Sequence, residues 1–189
     1  MAYPLEYGYS LVGRPVAFGA GVDPAAWLLP AVAPQPGRSS CPSPEAVAVG
    51  PAPLVFCFHP HAAACEVSAA GLMRVPSGVG ASDAVFLPAV ETALSIVHDA
   101  QPRAGERVAV FGQGLVGLLV TALLARMGTR VTAVDGRPDR RALALCCGAA
   151  DAFPPPNGSA ADDRALARCV DIAVEVSGNP KALQAALDA

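Results

Sequence analysis

The residues whose types and spacing most clearly indicate a chemical role lie between Val110 and Asp135, in the stretch VFGQGLVGLLVTALLARMGTRVTAVD. Gly112, Gly114 and Gly117 have the spacing G-x-G-x-x-G. Glycines at this spacing permit a tight turn, let the backbone approach a pyrophosphate, and let a helix pack closely on a strand. Asp135 follows at roughly the 20-residue distance where an acid can hydrogen-bond a ribose 2′-hydroxyl. The stretch therefore predicts a dinucleotide site.

The local pattern supplies the elements that such a site needs. Residues 107–111 form a short apolar strand, residues 115–127 a helix closed by Gly128, and residues 130–134 a second strand. The helix would direct its N-terminus at the phosphates, so Leu115 and Val116 join the three glycines as predicted cofactor-binding residues. A glycine turn without a ligand and S-adenosylmethionine binding are the two alternatives.

Asp135 also bears on which cofactor is bound. Its carboxylate would accept hydrogen bonds from the ribose of NAD and repel the 2′-phosphate of NADP. Arg137 follows two residues later and could pair with that phosphate. NAD is therefore the predicted cofactor, with NADP left open.

The same strand and helix alternation continues to the end of the chain. A helix over 138–147, a strand over 151–153, a helix from Ser159 and a strand over 171–176 are predicted. The last strand leads into Ser177, Gly178 and Asn179, before Pro180 begins another helix. In a doubly wound sheet this loop lies at the carboxyl ends of the strands, so we expect it beside the nicotinamide half of the cofactor.

Composition excludes several classes of function. The chain has 189 residues, 53% of them hydrophobic, and a formal net charge of −3 without a basic run, so we expect a globular protein that does not bind nucleic acid. Neither a secretory leader nor an apolar run of the ~20 residues that span a bilayer is present in the sequence. The cytoplasm is the expected location, with a plastid or another organelle left open. The six cysteines are expected to be free thiols.

The first 100 residues have a different sequence pattern. Residues 1–22 and 54–76 contain strand-like patches, residues 23–53 form a Pro-rich insertion, and residues 82–100 look helical. The fold class is therefore α/β. A partial β domain over 1–100 is followed by an incomplete Rossmann doubly wound parallel sheet over 101–189.

The stretch AGERVAVFGQGLVGLLVTALLARMGTRVTAVD, together with VDIAVEVSGNPKALQAAL, resembles the cofactor domain of medium-chain dehydrogenases/reductases, the alcohol dehydrogenase-like superfamily. The segment YPLEYGYSLVGRPVAFGAGV is similar to part of their GroES-like catalytic domain. VFCFHPH and ETALSIVHDA look closest to the bacteriochlorophyllide dehydrogenase-like branch. The resemblance implies hydride transfer between a nicotinamide cofactor and an alcohol, a carbonyl or a related small molecule.

The chain departs from the zinc-using members of that superfamily. Where they have Gly-His-Glu this sequence has Gly-Tyr-Ser, and residues 87–89, where they have a later Cys or Asp ligand, offer none, so we predict no metal site. A different site made by Cys57, His59, His61 and Cys65 is the alternative that the sequence leaves open.

Four residues are the catalytic candidates. His59 or His61 could relay a proton to a substrate oxygen, because imidazole titrates near neutrality. By the resemblance, Glu91 would stand near the nicotinamide, and Tyr9 is a further candidate acid. Each candidate also has a non-catalytic alternative. The histidines could belong to a polar loop, Glu91 could be an exposed helix carboxylate, and Tyr9 could be a packed aromatic ring.

Against the superfamily pattern, the sequence looks truncated at both ends, and the last strand would present an unpaired apolar edge. Two function classes follow. One is an NAD(P)-dependent oxidoreductase without catalytic zinc, which acts on a small molecule and possibly forms a homo-oligomer. The other is a non-catalytic chain that binds a nucleotide or a partner subunit.

Overall fold

The computed structural model describes residues 7–28, 53–156 and 170–189. The chain divides into two compact units, Met1–Pro88 and Ala89–Ala189. Most of the predicted Pro-rich insertion and the predicted helix from Ser159 lie outside the described residues. No helix among the described residues is long and apolar enough to cross a membrane.

The first unit contains a small antiparallel sheet with the strand order β1-β2-β3. The central strand is buried at all three positions, and Phe56 packs with Val75 and Ala84 in a small core. The elements of this unit are β1 (Leu11–Gly13), α1 (Ala25–Leu28), β2 (Val55–Cys57), a 3-10 turn (Ala69–Gly71), β3 (Met73–Arg74) and α2 (Ala81–Ala84).

The second unit is built on a parallel sheet of four strands in the order β6-β5-β4-β7. The strand order places the first strand of the unit at the centre, as in one half of a doubly wound fold. The elements, with α3 crossing the division between the units, are α3 (Leu87–Ala100), β4 (Arg107–Phe111), α4 (Leu115–Arg126), β5 (Arg130–Val134), α5 (Pro138–Cys146), β6 (Asp151–Phe153), β7 (Ile172–Glu175) and α6 (Pro180–Leu187). The α/β class and the parallel, Rossmann-like sheet predicted from the sequence are confirmed.

Both faces of this sheet are covered, which explains the nearly continuous apolar sequence of β4. Val108 and Val110 point to the face covered by α3, α4 and α5, where Leu124 and Val120 are fully buried. The alternating residue Phe111 points to the other face, which α6 covers.

The helical segment predicted over 82–100 is interrupted once. It is two helices, α2 and α3, which are separated at Val85 and Phe86. A continuous helix would need the nitrogen of Pro88 to donate to the carbonyl of Ala84, and proline has no N–H. The chain therefore restarts, and Pro88 stands in the first turn of α3, where a missing donor costs little.

An ion pair reinforces the pairing of β4 with β7. The Arg107 backbone N–H donates to Asp171 Oδ2 at 2.8 Å, the Arg107 Nε lies 3.5 Å from the same oxygen, and the Asp171 N–H donates to the Arg107 carbonyl. The two donors of Arg107, the backbone N–H foremost, hold the pKa of Asp171 below its usual value of 3.8.

Acid should therefore weaken the second unit partly through Asp171. A carboxyl group whose pKa is lower in the folded state stabilises the fold above its unfolded pKa, and this contribution is lost as the pH falls below 3.8. We expect Asp171→Asn to lower the free energy of unfolding at pH 7 and to make its decline in acid less steep. Denaturant titrations across the pH range measure both, with Asp99→Asn, an exposed carboxylate of α3, as the control. Equal acid slopes for Asp171→Asn and the parent protein would contradict this account.

Candidate functional site

The glycine turn after β4 begins at Gly112. Its φ is +95°, a conformation that side chains with a Cβ rarely adopt. A Cβ built there would lie 2.6 Å from the Cα of Ser177. The turn therefore needs glycine for its conformation and for its approach to the loop after β7, and two predicted cofactor segments meet at this contact.

Gly117 has a different role, inside the first turn of α4. A Cβ at this position would overlap the carbonyl oxygen of Gly112 and lie 3.3 Å from Val176 Cγ2. Its absence lets the helix begin directly against the end of β4. This is the helix packing role that the sequence predicts for the third glycine of the motif.

Gly114 instead faces open space. It is the N-cap residue of α4, and a Cβ built there would meet no atom within 4 Å. The next residue, Leu115, is half exposed at the start of the helix. The N-terminus of a helix carries partial positive charge and free backbone donors, so this open position can take an anionic group.

A buried hydrogen-bond network centred on Gln113 stabilises the glycine turn. Gln113 is fully buried, its Nε2 donates to the carbonyl of Val110 at 3.0 Å, and its Oε1 accepts from Thr121 Oγ1 at 3.1 Å. The side chain therefore ties the end of β4 to the middle of α4. Because each buried polar atom has a partner, the network specifies one conformation of the turn.

Asp135 links the turn to the end of β5. The backbone N–H of Gln113 donates to Asp135 Oδ2 at 2.7 Å, and that of Arg137 donates to Oδ1 at 2.8 Å. Arg140 Nη1 lies 3.6 Å from Oδ2, while the residue is only 8% exposed. Two amides and a guanidinium thus stabilise the buried carboxylate beside the open position at Gly114.

The Arg137 side chain forms an ion pair with Asp139. Its Nε and Nη2 donate to the two carboxylate oxygens of Asp139 at 3.1 and 2.7 Å. The Arg137 guanidinium lowers the pKa of Asp139, and Asp139 raises the pKa of Arg137. A 2′-phosphate would have to compete with this bidentate pair for the guanidinium.

The loop after β7 is organised by hydrogen bonds among its own residues. Glu175 Oε1 accepts from the backbone N–H of Ser177 at 2.7 Å and also from its hydroxyl. The Asn179 N–H donates to Ser177 Oγ, and Asn179 Oδ1 accepts from the N–H of Lys181 and so caps α6. Gly178 between them has a φ of +67°. The predicted loop Ser177–Asn179 is thus ordered by its own hydrogen bonds, and Ser177 lies close to Gly112 of the glycine turn.

The catalytic candidates fall in different parts of the chain. Tyr9, His59 and His61 lie in the first unit and Glu91 in the second. The His61 N–H donates to the carbonyl of Tyr7 at 2.7 Å, and His59 Nδ1 lies 2.8 Å from the Pro60 carbonyl. Tyr9 is 64% exposed, and Glu91 Oε1 accepts from Ser95 Oγ at 3.5 Å. Their catalytic roles stay predictions.

The alternative metal site at Cys57, His59, His61 and Cys65 receives no support from the geometry. Among the described residues, no group of three or more His, Cys, Asp or Glu side chains is arranged to hold a metal ion.

Sequence reasoning missed three residues around Asp135. Gln113 occupies a variable position of the glycine motif, and its only signal is a polar residue inside an apolar strand and helix start. Arg140 pairs with the Asp135 carboxylate, and Arg141 Nη1 donates to the Asp135 carbonyl at 2.8 Å. An acid at the end of a strand, followed five and six residues later by two arginines in the next helix, could have indicated both.

The three glycines give a matched test of this geometry. We expect Gly117→Ala to destabilise the second unit by about 1–3 kcal/mol, because its Cβ overlaps the Gly112 carbonyl. Gly114→Ala should stay within ~1 kcal/mol of the parent protein, because its Cβ meets nothing. Urea unfolding followed by circular dichroism measures both. The account fails if the two variants are equally stable.

Comparison with known proteins agrees with this arrangement. Residues 116–189 match the family described as zinc-binding dehydrogenase. A probable D-xylulose reductase A of Arthroderma otae is 29% identical over 113 residues, which are 56% of this chain and 32% of that protein. The (R,R)-butanediol dehydrogenase of Bacillus subtilis (strain 168) is 32% identical over 119 residues, 61% of this chain and 34% of that protein. The chain thus spans about a third of the length of the curated relatives it matches.

Solved structures extend the likeness to the fold. Galactitol-1-phosphate dehydrogenase from Escherichia coli is 20% identical, with a TM-score of 0.69 over 99% of this chain and 57% of that one. Other similar structures include a complex with NADH, and a complex with NADPH that is 28% identical with a TM-score of 0.53.

These comparisons confirm neither the bacteriochlorophyllide dehydrogenase-like branch nor truncation of the chain. Over residues 116–189 the chain is therefore similar to zinc-binding dehydrogenases.

Proposed function

We propose that the second unit binds NAD and that the protein is an NAD-dependent oxidoreductase acting on an alcohol or carbonyl compound. The observation that carries this proposal is the open position at Gly114, at the N-terminus of α4, next to the residue whose N–H is bonded to Asp135. A dinucleotide needs these two features side by side, an anion site for the pyrophosphate and an acceptor for the ribose.

The pyrophosphate would lie against Gly114, Leu115 and Val116. The absent side chain at Gly114 leaves room for phosphate oxygens to reach backbone donors, and the helix dipole favours their charge. Gly112 and Gly117 act indirectly in this proposal, because they hold the turn and the helix at the spacing that leaves this room.

The adenosine ribose would bond to Asp135. Each carboxylate oxygen has about two lone-pair sites, so the amide bonds from Gln113 and Arg137 leave acceptor capacity for ribose hydroxyls. A 2′-phosphate would meet this negative charge, and the Arg137 guanidinium that could offset it is paired with Asp139. These contacts favour NAD over NADP. The similar structure with NADPH supports a nicotinamide cofactor in general.

The nicotinamide half is proposed to lie toward Ser177, Gly178 and Asn179, because this loop touches the glycine turn at Gly112. When bound, the cofactor supplies or accepts the hydride. His59 or His61 would exchange the proton of the substrate oxygen, Tyr9 is the further acid candidate, and Glu91 would orient a hydroxyl group. No zinc is assigned to this chemistry.

The substrate class follows from the relatives alone. These relatives are named D-xylulose reductase and (R,R)-butanediol dehydrogenase, so a polyol or vicinal diol is the proposed alcohol. We extend the proposal of oxidoreductase activity to the whole protein, and we further propose a cytoplasmic location and a homo-oligomer.

The experiment measures NADH and NADPH affinity by calorimetry and then hydride transfer with xylitol, butane-2,3-diol and the corresponding carbonyls. We expect saturable NADH binding that Gly114→Ala weakens about 10-fold or more, a loss of ~1.4 kcal/mol or more, because its Cβ enters the phosphate position. Gly71→Ala is the matched control, since a Cβ there also meets nothing but lies in the first unit.

Each outcome has a separate meaning. A folded protein that binds neither cofactor would overturn the proposal. Binding of S-adenosylmethionine in place of NADH would replace the cofactor. NADH binding without turnover of any compound in the panel would favour the non-catalytic alternative, in which the chain binds a nucleotide or a partner subunit.

A further inference from the structure

Two thiols of the first unit face the same cavity. Cys57 is the last residue of β2 and is 4% exposed, whereas Cys65 is exposed. Both line a cavity of about 810 Å³, with Val55, Val67 and Leu72 among its other walls. Neither the glycine turn nor any predicted catalytic role uses these thiols.

The fold brings the two cysteines together although seven residues separate them. After β2 the backbone N–H of His61 donates to the carbonyl of Tyr7 at 2.7 Å, which anchors the segment between the two cysteines. Cys65 then lines the same cavity as Cys57. Burial, with Cys65 beside it, raises the pKa of Cys57 above that of an ordinary thiol.

The burial difference assigns separate roles to the two sulfur atoms. A peroxide can reach the exposed Cys65, and the first oxidation product of a cysteine, a sulfenic acid, condenses with a nearby thiol. The buried Cys57 is poorly accessible to a peroxide but lines the same cavity as Cys65. The pair therefore has one thiol that meets the oxidant and one that resolves the product.

We propose that Cys57 and Cys65 form a redox-active dithiol site, which a peroxide oxidises to an intramolecular disulfide. The Cys65 thiolate attacks one peroxide oxygen, the O–O bond breaks, and the sulfenic acid forms with release of one molecule of water or alcohol. The Cys57 sulfur then attacks the Cys65 sulfur, the S–O bond breaks, and a water molecule leaves with the Cys57 proton. The two thiols lose two electrons in total, which reduce the peroxide.

The consequence is a covalent link between β2 and the segment that walls the cavity. The bond would join the buried central strand to residues 62–69, and excess dithiothreitol would break it again by thiol–disulfide exchange. The site therefore gives the first unit two covalent states.

The sequence allows a direct assay on the unaltered protein. The sequence has no glutamate between Glu45 and Glu66. Cleavage after glutamate therefore releases residues 46–66, which contain Cys57 and Cys65 but not Cys41. The folded protein is treated with hydrogen peroxide, denatured, alkylated with iodoacetamide, digested and weighed by mass spectrometry. We expect this peptide to carry no alkyl group and to be two hydrogen atoms lighter than the unmodified dithiol peptide, and to carry two alkylated cysteines if dithiothreitol precedes alkylation.

Two variants sharpen the result. Cys65→Ser should leave Cys57 alkylated after peroxide, because the buried thiol has lost the partner that meets the oxidant. Cys146→Ser removes an exposed thiol of the second unit and should leave the peptide result unchanged.

The proposal is overturned if peptide 46–66 of the parent protein keeps two alkylated cysteines while Cys146 is oxidised. It is equally overturned if Cys65 accumulates as sulfinic acid beside an alkylated Cys57. A disulfide that joins either cysteine to Cys41 would also contradict it.

Discussion

The carboxylate of Asp135 is the contact on which the geometry of the second unit's site depends. It accepts the backbone N–H of Gln113 from the glycine turn and that of Arg137 from the start of α5, and so joins the ends of β4 and β5. A buried anion is costly unless it is hydrogen-bonded and paired, and here two amides and Arg140 meet that condition. The proposed pyrophosphate and ribose positions are therefore parts of one hydrogen-bonded unit.

The three glycines of the turn that bonds to Asp135 have different structural roles. Gly112 and Gly117 allow atoms of the protein to approach one another, whereas Gly114 leaves room that no protein atom fills. The fully buried Gln113 then fixes the turn to β4 and α4. Preorganisation of this kind lowers the cost of ordering a loop when a ligand binds, and it requires no charged residue at the phosphate position.

Local patterns in the sequence were sufficient for the sheet and insufficient for much of the site. The strands β4, β5 and β6 have the predicted bounds, because each is an apolar or β-branched run ended by glycine, aspartate or proline. The break before α3 escaped prediction, since Pro88 is equally compatible with a helix start and with a strand-like turn. Gln113 was missed because its role arises only in the folded chain, where its backbone N–H bonds to Asp135, 22 residues away, and such a contact leaves no periodic signal. The thiol pair Cys57 and Cys65 was missed as a redox site for the same reason. Arg140 follows Asp135 by only five residues and was missed because Asp135 follows a strand whereas Arg140 lies in the next helix.

The most direct test of the central claim is an amide NMR titration of the isotope-labelled protein with NADH. If the glycine turn and Asp135 form one dinucleotide site, the largest shifts should fall on the amides of residues 112–117 and 135–137, and they should saturate together. Smaller shifts should reach Ser177–Asn179, because that loop touches Gly112. Saturable shifts confined to residues outside these segments, with the turn unchanged, would contradict the account.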